Sequence, residues 1–152
     1  MPDGQRFSFE VTARSSADAA TLFALEADGS RWSEWARPLI PRSFWERHGD
    51  PAPAGVGAIR ALGLPPLLVR EETVAYEPDR RHGYVLRTWM PVRDYRAEVV
   101  LTPRPEGGTE LVWRGSFAEL IPGSGPVARA ALRALIALLA RRLVRFAERD
   151  ST

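Results

Sequence analysis

The sequence predicts an α+β fold in which an antiparallel sheet is covered on one face by a long C-terminal helix. Three observations predict it. Runs with two-residue alternation recur along the chain and are joined by short turns, so consecutive strands pair antiparallel. Helical segments stand only after the first run and at the C-terminal end, which puts the helices together on one side of the sheet. The last segment repeats its apolar residues with helical rather than strand period.

The elements follow in order. Arg6–Ala13 alternates Phe7, Phe9 and Val11 with Ser8, Glu10 and Thr12, an amphipathic strand. Ser15-Ser16-Ala17-Asp18 offers N-cap chemistry for a short helix through Leu25, and Asp28-Gly29-Ser30 breaks it. Arg31–Ala36 reads as a second short helix with Trp32 and Trp35 on one side. Arg37–Pro53 contains four prolines and reads as irregular. Gly55–Leu62, Leu67–Tyr76, His82–Trp89, Val92–Thr102 and Thr109–Leu120 read as five further strands, separated by Gly- and Pro-containing turns. Pro122-Gly123-Ser124-Gly125-Pro126 ends the sheet, and Val127–Arg149 reads as the long helix. Its stripe of Ala128, Leu132, Leu135, Ile136, Leu139, Leu143 and Phe146 is expected to face the sheet. About 22 helical residues reach ~33 Å. That length lies across a curved sheet of six or seven strands and can leave a cavity beneath it.

Composition bounds the function. A chain of 152 residues with 45% apolar and 26% charged residues suits a single domain, 1–152, with a real core. There is no cysteine, which excludes disulfides and thiolate chemistry. Every cationic residue but the histidines is arginine, and the net charge is only +2. That balance gives no reason to expect a nucleic-acid partner. No apolar leader is visible, and arginines interrupt the apolar run Ala128–Ala147, so a cytoplasmic protein without a membrane span is expected. His48 and His82 lack metal-ligand spacing and read as surface histidines. No phosphate loop, dinucleotide fingerprint or nucleophile elbow occurs, and no cofactor or metal is expected.

The candidate site comes from strand faces. On Val92–Thr102 the alternate set Arg93, Tyr95, Ala97, Val99 and Leu101 ends apolar and should face inward, beginning with an arginine and a tyrosine. On the last strand the inward set is Thr109, Leu111, Trp113, Gly115 and Phe117. On the strand before Met90 it is Tyr84, Leu86 and Thr88. On Leu67–Tyr76 two registers compete, one with Val69, Glu71, Thr73 and Ala75 inward, the other with Arg70, Glu72, Val74 and Tyr76 inward; a bulge would mix them.

Several local motifs add to this reading. They are Trp32-Ser33-Glu34-Trp35, Gly55-Val56-Gly57, Arg70-Glu71-Glu72-Thr73 followed by Tyr76-Glu77-Pro78-Asp79-Arg80-Arg81, and Gly107-Gly108-Thr109-Glu110-Leu111-Val112-Trp113. With the element order, they resemble the helix-grip, START-like superfamily (SRPBCC), in its bacterial polyketide cyclase/dehydrase-like branch. The resemblance implies a curved sheet gripping the C-terminal helix, with a pocket for a hydrophobic molecule between them. It favours Glu71 pointing inward. The expected pocket residues are Trp35, Glu71, Thr73, Tyr84, Leu86, Thr88, Arg93, Tyr95, Ala97, Leu111, Trp113, Leu132, Ile136 and Leu139. The expected partner is a lipid, quinone or polyketide-like molecule bound by a monomer or homodimer. If the protein is instead a cyclase or dehydratase, Glu71 would be the base, and Arg93 or a tyrosine would stabilise the oxyanion. Pairing Arg93 with Glu71 would offset the cost of burying both; the alternative is that Arg93, at the strand's start beside Pro91, snorkels to solvent.

Overall fold

The computed structural model describes residues 5–150. Seven antiparallel strands form one sheet in the order β1-β7-β6-β5-β4-β3-β2. They are β1 Arg6–Ser15, β2 Arg42–Arg47, β3 Ile59–Leu64, β4 Leu67–Glu77, β5 Arg81–Leu86, β6 Val92–Pro103 and β7 Thr109–Glu119. The helices are α1 Ala19–Ala27, α2 Trp32–Trp35 and α3 Gly125–Asp150. Only the step from β1 to the far edge at β2 is a long crossover, and α1 and α2 occupy it. Every other connection but one joins neighbours; after β7 the chain leaves the sheet as α3.

Each element has a local cause. Phe7, Phe9 and Val11 are buried along β1 while their alternate neighbours are exposed. Asp18 caps α1 by accepting the amide of Thr21 at 2.8 Å, which satisfies a donor that the first helical turn leaves without a partner. Ile136, Leu139 and Leu143 bury one side of α3 against the sheet. Ala140, Val144 and Ala147 are buried as well, and the small residues let α3 run close beside β1.

The stretch Arg37–Pro53, expected to be irregular, contains β2. Its prolines lie outside the strand, at Pro38, Pro41, Pro51 and Pro53, where no ladder amide is needed. As the outermost strand β2 carries Arg42, Glu46 and Arg47, charges that discourage further pairing. The strand expected from Gly55 begins only at Ile59, and the one expected to reach Trp89 stops at Leu86.

Two bulges set the inward faces. On β4 the register shifts between Thr73 and Ala75, so Glu71 and Thr73 point inward, and beyond the shift Tyr76 packs on Phe23 at 5.4 Å. Both registers anticipated for this strand therefore occur, on either side of the bulge. On β6 the register shifts between Arg93 and Arg96, and Asp94 takes a left-handed φ of 51°. Val92 and Tyr95 are then both buried, while Arg93 and Asp94 are exposed.

Gly115 lies opposite Phe9 at the β1–β7 pairing. A Cβ there would fall 2.5 Å from the Phe9 ring, which packs on Tyr95 at 6.3 Å. Gly115→Ala is therefore expected to lower stability by ~1–3 kcal/mol through overpacking. Urea titration reads this directly; an unchanged midpoint would mean the ring moves aside freely.

Candidate functional site

A buried polar cluster sits where α1 meets strands β3, β4 and β5. Arg60, on β3, stands directly opposite Glu71, on β4, because the tight turn at Pro65-Pro66 pairs their positions. Its Nε donates to Glu71 Oε1 at 2.8 Å. Its Nη1 donates to the Glu26 carbonyl at 2.5 Å, and Nη2 reaches Glu26 Oε1 at 3.5 Å. The guanidinium lies over the rings of Trp32, at 4.4 Å, and Tyr84, at 4.9 Å. Arg60 is 2% exposed and Glu26 1% exposed. His82 is buried beside them, its Nδ1 2.9 Å from Glu26 Oε1 and its Nε2 3.1 Å from Thr73 Oγ1. A carboxylate only accepts, so Nδ1 carries the proton toward Glu26.

The electrostatics of the two carboxylates differ. Burial pushes the Glu26 carboxyl up, but His82 and Arg60 together outweigh it and hold the group below its ordinary range. Burial also pushes Glu71 up, and here Arg60 does not fully compensate, since Glu26 opposes it; the net direction is upward. Burial and the nearby Glu71 raise the hydroxyls of Tyr84 and Tyr95, so both stay protonated at neutral pH. The desolvation of Arg60 is outweighed by Glu71 and Glu26, and it stays charged.

Above Glu71 a cavity of about 260 Å³ opens between the sheet and α3. Its walls are mainly aliphatic: Leu62, Leu67, Val69 and Leu86 from the strands, Leu132, Leu135, Ile136 and Leu139 from α3, and Leu39, Ile40 and Met90 from connecting segments. Glu71, Tyr84 and Tyr95 supply its polar groups, and Trp32 closes one side. A larger depression of about 530 Å³ lies on the other face of the sheet, beside Arg81, Arg96, Glu98 and Arg114. It is open, and Arg81 and Arg114 there are already ion-paired with Glu98. The apolar cavity with few polar groups has the design of a small-molecule site.

Of the residues expected at the pocket, Glu71, Tyr84, Leu86, Tyr95, Leu132, Ile136 and Leu139 line this cavity. The others do not. Arg93 is exposed and donates to the Glu119 carbonyl at 3.0 Å, because the β6 bulge turns it outward. The expected Arg93–Glu71 pair is replaced by Arg60–Glu71. Thr88 turns back to accept the Arg70 amide at 2.7 Å. Thr73 is sealed behind the cavity against His82. Trp35 donates to the Leu25 carbonyl at 3.2 Å and packs on Trp32. Trp113 donates to the Tyr84 hydroxyl at 3.2 Å from within the core, where Ala97 and Leu111 also lie. His82, read as a surface residue, is one of the most buried side chains, because it follows the strand's inward alternation with Tyr84. Leu135 remains 44% exposed at the cavity mouth.

Sequence reasoning missed Arg60, Glu26 and His82. A signal existed for Arg60: counting back from the Pro65-Pro66 turn places it opposite Glu71. Glu26 carried none beyond being the single acid inside the apolar segment Leu22–Ala27.

The fold and its relatives agree. The family model described as polyketide cyclase / dehydrase and lipid transport matches residues 6–148. Among solved structures, a START superfamily protein from Mycobacterium smegmatis superposes with a TM-score of 0.78 at 14% identity, covering 93% of this chain and 97% of its own. Ara h 8.0201 gives 0.74 at 13% identity, with 94% and 98% coverage. The protein XoxI from Bacillus cereus gives 0.73 at 16% identity, with 91% and 93% coverage. At these identities the likeness is one of fold. No curated protein matches the sequence.

Proposed function

Since the chain belongs to the polyketide cyclase / dehydrase and lipid transport family, we propose that it binds a small hydrophobic molecule, a lipid, quinone or polyketide-like compound, between the sheet and α3. The observation that carries this reading is the cavity of about 260 Å³ with aliphatic walls and a polar end at Glu71. Apolar enclosure supplies affinity, at roughly 25 cal/mol per Å² of ligand surface removed from water, before the cost of association is subtracted. Among the described residues no helix is long and apolar enough to cross a membrane.

The test is mass spectrometry of freshly purified protein under native and denaturing conditions. A mass excess that vanishes on denaturation is expected, and the released compound identifies the ligand class. If there is no excess and no apolar compound binds on titration, the reading fails.

A second reading, acid–base catalysis of a cyclisation or dehydration, draws on Glu71. Arg60 holds Oε1 and leaves Oε2 without a hydrogen-bond partner among the described residues, beside the cavity. Such a carboxylate is positioned to take a proton next to a carbonyl, while Tyr95 offers a hydroxyl to the developing oxyanion. Arg93, exposed on the outer side of its bulge, has no part in it.

A further inference from the structure

The two ends of the sheet differ in what they expose. At one end three connections meet. Leu64 and Leu67 face each other across the β3–β4 turn. On the β5–β6 segment the Thr88 hydroxyl takes the Arg70 amide at 2.7 Å, which carries the chain on to Trp89 alongside the start of β4. The β7–α3 segment leaves the sheet where Glu119 pairs with Val92. Leu67 is 82% exposed and Trp89 78%, and Leu64, Ile121 and Val127 are exposed as well. The turns at the opposite end, 78–80 and 104–108, are polar and carry no exposed large apolar side chain. Arg42 on β2 opposite Gly63, Arg93 at the start of β6 and Arg129 near the start of α3 stand around the apolar end. All three are exposed, and none has an ion-pair partner among the described residues; Arg93 donates to the Glu119 carbonyl, and Arg129 lies over the Phe7 ring at 5.6 Å. The nearby Asp94 is already taken by Arg6 and Arg96, and Glu119 accepts the Gly125 amide at 2.8 Å.

We propose that this end of the molecule seats on the surface of an anionic lipid bilayer, with Leu67 and Trp89 entering the headgroup region and Arg42, Arg93 and Arg129 meeting lipid phosphates. The proposal stands apart from the proposed binding function and does not need the cavity to be filled. Exposed apolar side chains gathered at one place mark an interaction surface, and their arrangement chooses the partner. They project as separate tips from three connections, which suits a fluid surface better than a rigid protein face. An indole is at home at headgroup level, where its ring is apolar and its N–H stays wet. Unpaired arginines around apolar tips add attraction to an anionic leaflet. A second copy of the chain fits less well, because a twofold interface would set these arginines against their own copies. Leu67 and Leu135 at this end also line the cavity, so a seated molecule would have that opening close to the lipid.

The experiment is co-sedimentation of the full chain with vesicles of phosphatidylcholine alone and of phosphatidylcholine mixed with phosphatidylserine. Wild type is expected to bind the mixed vesicles at least about tenfold more tightly, and added salt should weaken that binding. The double variant Leu67→Ser/Trp89→Ser should lose about tenfold or more in affinity for the mixed vesicles, and Arg93→Gln/Arg129→Gln a similar factor. All four side chains are exposed, so the urea midpoints should hold. Val56→Ser removes an exposed apolar side chain elsewhere and should change nothing. No binding to mixed vesicles, equal binding to both compositions, or binding that the Leu67/Trp89 variant leaves untouched overturns the proposal. So does a concentration-dependent dimer in ultracentrifugation that the same variant abolishes, which assigns the end to a second copy. Binding of polyglutamate with none to vesicles assigns it to an acidic protein and overturns it as well. Each of these outcomes leaves the hydrophobic cavity standing, since its own test is the retained ligand.

Discussion

Replacing Arg60 with methionine is expected to destabilise the protein by about 3–5 kcal/mol at neutral pH, the range for breaking a buried ion pair on one side only. The guanidinium serves Glu71 and Glu26 at once, through Nε, Nη1 and Nη2. Without it two buried carboxyls remain, Glu71 at the cavity wall and Glu26 behind it with His82 as its counter-group among the described residues. The loss should depend on pH, and the sign follows from the carboxyls. In the wild type Glu26 lies below the ordinary value of 4.5, so its stabilisation is present above that value and is lost as pH falls through the lowered one. Glu71 lies above 4.5, so its contribution runs the other way: stability declines as pH rises from 4.5 through the raised value. Removing Arg60 raises both groups. The penalty of Arg60→Met is then largest at neutral pH and shrinks toward pH 4.5. Adding Glu71→Gln should restore part of the loss by removing one stranded charge. Urea titrations of the single and double variants across pH decide the matter. A pH-independent loss would mean that the side chain matters for packing between Trp32 and Tyr84 and not for its charge.

Ile136→Trp is expected to weaken ligand binding strongly while leaving the fold intact. Ile136 projects from α3 into the cavity wall and is 4% exposed. An indole there occupies space that is already open, so the overpacking cost of a filled core does not apply in full. The affinity for the compound released from wild type should drop about 100-fold, or ~2.7 kcal/mol. The urea midpoint should move little. Unchanged affinity in a folded variant would place the ligand elsewhere than between α3 and the sheet.

How far the sequence alone reaches can be seen at three places. The long strands β1 and β7 and the helix α3 are legible because each carries many residues of one period, and β6 is legible from Tyr95 to Leu101 for the same reason. The edge strand β2 was not, since its six residues are short, charged and ringed by prolines whose positions outside the strand only pairing reveals. Arg93 and Arg60 show the limit for the site. The alternation of β6 read from Leu101 back toward Arg93 puts Arg93 inward, and a single left-handed residue, Asp94, at the register shift turns it outward. Asp tolerates that conformation without announcing it, as glycine would. Arg60 sits among apolar neighbours with no alternation to mark its side, and Glu26 comes from a helix more than thirty positions earlier (34 residues apart). A cluster assembled from separate elements leaves no local pattern in the chain.

The cavity is held differently at its two ends. Its inner end rests on the Arg60 cluster and on Trp32, Tyr84 and Trp113, all in the most deeply buried part of the molecule. Its outer end is made by Leu39, Leu67 and Leu135, which are 42%, 82% and 44% exposed, and two of them stand in or beside connecting turns. Local opening is cheapest where few buried contacts resist it. On the proposed binding function, a molecule held there would come and go through fluctuations of these outer side chains while the inner end keeps its shape. Residence time and global stability become separable properties: trimming Leu67 should hasten release without moving the unfolding midpoint, and damage to the Arg60 cluster should do the reverse.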